Sequence, residues 1–162
     1  MSATVQSISA LFAEDHDRLD ALLASFRQKK FVNYAEARPF FREFKFGLQR
    51  HIVWEETILF PLFEEKTGFY HAGPTEVMRA EHRRIGACLE ALHEKVRRQD
   101  PESEAEEAAL LGALEVHNQK EEMVLYPALD RLLSPEEKQG VKEAMARVPE
   151  EAYRTCCGGH HH

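Results

Sequence analysis

Cysteine is scarce: the 162 residues contain three, Cys88 in mid-chain and the vicinal pair Cys156-Cys157 near the end. Thiols so placed do not make a disulfide framework, which points to a reducing compartment. Glycine and proline are thin as well, at 8 and 7 residues, which sets aside collagen-like and low-complexity classes and favours helices. No run approaches the roughly 18 consecutive apolar residues needed to span a bilayer. The opening MSATVQSISALFAED has neither the basic segment nor the apolar core of a secretory signal, so the cytoplasm is the expected compartment. Basic residues are in deficit, 21 against 28 acidic, for a formal charge of −7. That balance argues against nucleic acid or an anionic membrane as a partner, because both reward a basic footprint.

What is present suits a single helical unit. Hydrophobic residues at 43% and charged residues at 30% exclude disorder, and the length is enough to bury a core without staples. Apolar residues recur at alternating steps of three and four, the mark of helices that bury one face. The spacing predicts helices over about 6–29, 35–65 and 74–98, and a fourth from Ser103 to about Leu133. Glu106 would complete a capping box with Ser103. Ser134-Pro135-Glu136-Glu137 reads as the capped start of a short fifth helix that ends before Pro149. Connections are short, so successive helices should pack antiparallel. The expected domain covers 1–148, with 149–162 as a tail.

Pro61 and Pro127 fall inside the second and fourth periodic segments, where each removes a backbone hydrogen bond and should kink the helix or end it early. They are also equivalent positions. A shift of 66 residues carries His16 onto His82, Leu19 onto Ile85, His51 onto His117, Glu55 onto Glu121, Phe60 onto Tyr126 and Pro61 onto Pro127 without a gap. The domain reads as two related helical hairpins.

Along the buried stripes the same anomaly appears in all four helices. The second runs Phe41, Phe44, Leu48, His51, Glu55, Ile58, Leu62, and the fourth Leu110, Leu114, His117, Glu121, Val124, Ala128. His16 and His82 interrupt the stripes of the first and third. One histidine on an apolar stripe is ordinarily a hydrogen-bonded core residue. Six polar residues in matching hairpins are different, because an unpaired buried carboxylate costs several kcal/mol or must take up a proton. A salt-bridged core is the alternative, but no Lys or Arg falls on these stripes. Metal ions are the partner that fits. His and Glu four apart lie one turn along a helix face, about 6 Å in rise, and imidazole with carboxylate but no thiolate suits iron better than structural zinc. Manganese or zinc also fits such donors. Paired Glu-x-x-His motifs of the ferritin type are missing, and the single match, Glu90 to His93, reads as chance.

The motifs HDRLD at 16, HIVWEETILFPLFE from 51, EHRRI from 81 and HNQKEEMVLYPALD from 117 resemble the hemerythrin-like, HHE cation-binding family over about residues 12–133. The resemblance implies an all-α fold, an up-down antiparallel four-helix bundle, holding a non-haem diiron centre bridged by oxo or hydroxo and carboxylate groups. His16 and His51 would ligate one iron, His82 and His117 the other, and Glu55 and Glu121 would bridge. Oxygen-carrying members have a further histidine where this chain has Gly86, and a bridging Asp five residues after the last histidine, where this chain offers Glu121 at four and Glu122 at five. The pattern is more similar to bacterial hemerythrin-like proteins and to the iron-sulfur cluster repair branch, although the cysteine-bearing N-terminal domain of many repair proteins has no counterpart in these residues. With one histidine fewer, each iron would have five donors and one open position, fit for oxygen, peroxide or nitric oxide.

Three functional classes follow: a protein that binds, senses or stores iron or dioxygen, with a part in stress response; an enzyme that consumes peroxide or nitric oxide or repairs clusters; and an interaction module with a vestigial site. Small diatomic ligands or peroxide are the expected partners, and the redox partner is not specified. Trp54, Phe44, Phe60 and Tyr126 are placed to shield the centre, and Tyr126 to donate a hydrogen bond to a bound ligand, but ordinary bundle packing is the preferred reading; His71 and His93 are read as surface residues, and Cys88 as a small core residue. Cys156-Cys157 with the terminal His160, His161 and His162 offers a soft-metal or redox handle, or a tag remnant.

Overall fold

The computed structural model of the chain describes residues 5–70 and 72–154; His71 and the Cys156-Cys157 and terminal histidine segment lie outside them. Those described residues form helices and no strand. Helix α1 spans Ile8–Lys29, α2 Tyr34–Trp54, α3 Phe60–Thr67, α4 Pro74–Arg97, α5 Glu104–Lys120, α6 Tyr126–Leu132 and α7 Pro135–Arg147. A π-helical turn, Glu55–Leu59, joins α2 to α3, and another, Glu121–Leu125, joins α5 to α6. The described residues therefore make four long rods and one short helix, followed by a 3-10 turn at Glu150–Ala152. α1 packs on α2 and α4 on α5, while α2 touches α4 and α6 touches α1. A Cβ on Gly47 would come 2.7 Å from Leu19, so glycine there lets α1 and α2 approach closely.

The π turns change which residues are buried. In each, an N–H reaches back five residues, from Phe60 to the Glu55 carbonyl and from Tyr126 to the Glu121 carbonyl. The prolines that follow have no N–H to give and would crowd the carbonyl four residues back; a turn widened by one residue relieves both problems. Helical structure thus runs on to Thr67 and Leu132 rather than ending early at the prolines. The extra residue also advances the stripe by one position. After Glu55 the buried residues are Leu59, Phe60 and Phe63, and after Glu121 they are Leu125, Tyr126 and Leu129. Val124, expected inside, is 59% exposed, while Ile58, Leu62 and Ala128 are only partly buried.

Two apolar clusters result. One gathers Leu19, Leu23, Phe26, Phe41, Phe44, Leu89 and Leu110. The other gathers Ile8, Phe12, Leu59, Phe60, Tyr126 and Leu129, with Val141 and Met145 from α7. Trp54 ties α7 down by donating to the Met145 carbonyl at 3.2 Å. Ser134 and Glu137 form the expected capping box. Ser103 does not form one with Glu106: its hydroxyl instead donates to Glu107 at 2.6 Å. The reason is a buried cation missed in the sequence, Lys30, which reaches Glu107 at 2.5 Å and Ser103 at 3.2 Å. His93 is half-buried rather than exposed, with Nδ1 2.6 Å from Lys45 Nζ.

Candidate metal centre

Successive turns of α1, α2, α4 and α5 bring His16, His51, His82 and His117 to one level, and the π turns begin at the two glutamates. All six side chains are buried, each 4% exposed or less. They form two groups of ligand atoms within 4.8 Å of one another: His16 and His51 with Glu55 and Glu121, and His82 and His117 with the same two glutamates. Each carboxylate turns one oxygen to each group. Glu55 Oε2 is 3.4 Å from His51 Nε2 and its Oε1 is 3.0 Å from His82 Nε2. Glu121 Oε1 is 3.3 Å from His16 Nε2 and its Oε2 is 3.2 Å from His117 Nε2.

The other nitrogen of every imidazole is already engaged. Nδ1 of His16 pairs with Glu122 at 2.6 Å, of His51 with Asp15 at 2.8 Å, of His82 with Glu56 at 2.7 Å and of His117 with Glu81 at 2.8 Å. A carboxylate on Nδ1 fixes the ring, makes that nitrogen the donor and leaves the Nε2 lone pair inward, the arrangement of metal-ligating histidine. Sequence reasoning missed these four acids. Their signal was in the repeat, since the 66-residue shift carries Asp15 onto Glu81 and Glu56 onto Glu122.

Without a metal, the acids favour protons on the imidazoles. Burial opposes a charge on His51, but Glu55 and Asp15 outweigh it and hold its pKa up at about 10. The same contest, with burial against Glu55 and Glu56, leaves His82 at about 9; burial against Glu121 and Glu55 leaves His117 at about 11. Burial would raise Glu55, yet His51 and the groups around it keep its carboxyl well below the ordinary range. Protons compensate incompletely: Glu121 Oε2, buried and 3.2 Å from His117 Nε2, accepts no hydrogen bond of good geometry. A cation fits these donors, since it would sit among inward Nε2 lone pairs and supply the partner this oxygen lacks.

The two groups differ at the repeat-related residues Tyr126 and Phe60. Tyr126 was read as packing, but its hydroxyl lies 2.5 Å from Glu55 Oε2 and 2.9 Å from Glu121 Oε1, and 3.3 Å from Nε2 of both His16 and His51. It touches all four ligand atoms of one group. Burial and the two glutamates push its pKa well above the usual tyrosine value. Phe60 is packing as expected, stacked on His82 with ring centres 5.4 Å apart. Sequence reasoning weighed a hydrogen bond from Tyr126 and set it below packing, because the π turn that rotates it inward was not foreseen. Beside the site is a void of about 10 Å³, room for one water-sized molecule, walled mainly by Leu19, Phe44, Leu48, Ile52 and Ile85, with Asp20 and Asn118 also lining it.

The hemerythrin HHE cation-binding domain model matches residues 7–129. The chain belongs to that family. A curated relative, the iron-sulfur cluster repair protein YtfE of Cronobacter sakazakii (strain ATCC BAA-894), is 36% identical over 58 residues, which is 36% of this chain and 26% of the relative. The match thus spans about a quarter of that protein's length. No solved structure matches the chain. Among the described residues no helix is long and apolar enough to cross a membrane.

Proposed function

We propose that this family member is a diiron protein of the cytoplasm, an up-down antiparallel four-helix bundle that binds, senses or reacts with dioxygen, peroxide or nitric oxide. His16 and His51 would hold one iron, His82 and His117 the other, with Glu55 and Glu121 shared between them. The observation that carries this reading is the pair of glutamates, each with one oxygen toward each histidine pair. When bound, a pair of irons supplies electron-transfer chemistry and positions open to a small ligand. The protein's own part is to orient the imidazoles through the outer acids, to exclude bulk water with a mainly apolar wall, and to limit access to molecules that fit the small void. Tyr126 adds a hydroxyl proton at one end of the centre.

The test is to load the protein with iron, count metal per chain, and mix the reduced form with dioxygen, peroxide and nitric oxide in a stopped-flow absorption experiment. Two irons per chain and a spectral change with at least one of the three are expected. Absence of metal from a replete sample, or no response to any of the three, rejects the reading. The match to YtfE supports a second reading, in which the centre delivers iron to damaged clusters. Transfer of labelled iron to a cluster-depleted acceptor protein, without consumption of peroxide or nitric oxide, would favour it.

A further inference from the structure

The chain has seven more acidic than basic residues, yet one groove gathers five cations. It lies between α2, the end of α4 and the last described turn, encloses about 280 Å³, and is lined by Arg38, Arg42, Lys45, Arg97 and Arg154. None of these touches the metal centre. Arg38, Arg42 and Lys45 share one face of α2, because residues three and four apart on a helix are neighbours. Between the cations the groove is lined by Phe41, Phe46 and Val96, with Gln49 and His93 beside them. The Phe46 ring is held by an edge contact from Tyr153 at 5.0 Å.

Three of the cations have acidic neighbours: Lys45 has Glu90 at 3.1 Å, Arg97 has Glu94 at 2.6 Å and Arg154 has Glu150 at 3.3 Å. Arg38 and Arg42 have no ion pair among the described residues, and Arg38 Nε is buried without a hydrogen-bond acceptor. A guanidinium N–H so placed is costly unless something anionic meets it, and paired guanidinium groups match phosphate oxygens in both geometry and charge. The volume stands just below the range of small-molecule sites, about 300–1,000 Å³. The surplus of positive charge suits a dianion, and the aromatic lining suits a flat apolar body. The acidic balance of the whole chain disfavours a long polyanion.

We propose that this groove binds a small phosphate ester of mononucleotide size, its phosphate held by Arg38 and Arg42 and its ring laid on Phe46 and Val96. The experiment is calorimetric titration of the full, metal-loaded chain with AMP, inorganic phosphate and adenosine in parallel, repeated on Arg42→Glu and Arg38→Gln. Arg42 is exposed, so its variant should fold, which circular dichroism checks. Expected are saturable one-to-one binding of AMP, weaker binding of phosphate and none of adenosine. Each arginine substitution should lower AMP affinity about ten-fold or more, the worth of one charge-assisted hydrogen bond, with metal content and absorption unchanged. The proposal fails if AMP shows no saturable binding at millimolar concentration, or if Arg42→Glu binds it as the parent does. Tighter binding of hexaglutamate than of AMP also overturns it, since the groove would then be a docking face for an acidic protein.

Discussion

Two buried polar clusters sit in the same bundle, and only one of them is electrically complete. Where the α1–α2 and α4–α5 connections meet, Glu107 is held by Lys30 at 2.5 Å, Arg27 at 2.8 Å and the Ser103 hydroxyl at 2.6 Å, while Lys30 also donates to the Pro101 carbonyl at 2.8 Å. Fixed cations of the chain answer its buried acid. At the candidate metal centre, Glu55 and Glu121 face only imidazoles and a phenol, backed by four more acids, and one carboxylate oxygen lacks a hydrogen-bond donor. The difference separates a structural ion-pair cluster from a site built for something absent from the sequence. Burial of polar groups alone does not make that distinction; what decides it is whether the chain supplies the countercharge.

The sharpest way to break this comparison is to remove one charge from each cluster and vary the metal. Lys30→Met should destabilise the protein by about 1.5–3 kcal/mol, the worth of a hydrogen bond to a buried charge that Arg27 and Ser103 still hold, and should do so equally with iron or with chelator. Glu55→Ala should lower iron content well below that of the parent. It should also cancel most of the stabilisation that iron confers, about 4 kcal/mol at a thousand-fold excess over Kd. Thermal unfolding of both variants in both conditions checks the pair. Equal losses for Glu55→Ala with and without iron would make the centre merely structural, and a gain in stability would make it vestigial.

The metal-free centre should be alkali-sensitive. The unfolded imidazoles titrate near 6.5, whereas the folded values are about 9 for His82, 10 for His51 and 11 for His117. Below 6.5 both states hold these protons and the full stabilisation is present. As pH rises the unfolded chain releases them first, so stability falls and the contribution is gone above the folded values. Denaturant unfolding of chelated protein from pH 6 upward should show this decline, and iron-loaded protein should not, because bound metal has already displaced the Nε2 protons. A smaller effect is expected from the outer acids: Asp15→Asn and Glu56→Gln should each weaken iron binding about 10–100-fold while leaving helix content unchanged, as competition with a chelator would show.

Much of this was legible in the residues. The helical rods follow from the three-four periodicity, and the six inward residues follow from polar side chains on apolar stripes in a 66-residue repeat. What was not legible has a physical cause in each instance. A proline in a periodic segment announces strain but not its remedy, so the two π turns were unforeseen, and the stripe beyond each was read one residue early at Ile58 and Val124. Lys30 was missed because it lies one residue past α1, where periodicity stops carrying information; Ser103 was then assigned to a cap when Glu107 takes its hydroxyl. The outer acids appear polar and partly exposed in any one helix, and become meaningful only when neighbouring helices bring them to the histidine Nδ1 atoms.

Tyr126 is the finest of these differences, and the smallest substitution tests it. The two halves of the centre are related by the repeat, yet one carries a hydroxyl against all four of its ligand atoms and the other carries the Phe60 ring. Tyr126→Phe would make the halves alike. The fold should tolerate it, since the ring stays and only one buried hydroxyl is lost, a cost of about 1 kcal/mol in the chelated protein. Iron content should stay at the parent level, because His16, His51 and both glutamates remain. The spectrum should change: if the phenol oxygen approaches the metal in the His16 and His51 group, the ferric parent shows a phenolate charge-transfer absorption that Tyr126→Phe lacks. The converse replacement, Phe60→Tyr, should add such a feature at the His82 and His117 group. Identical spectra for parent and Tyr126→Phe would mean that the hydroxyl only donates to Glu55, and that the asymmetry of the two halves is one of hydrogen bonding, not of ligation.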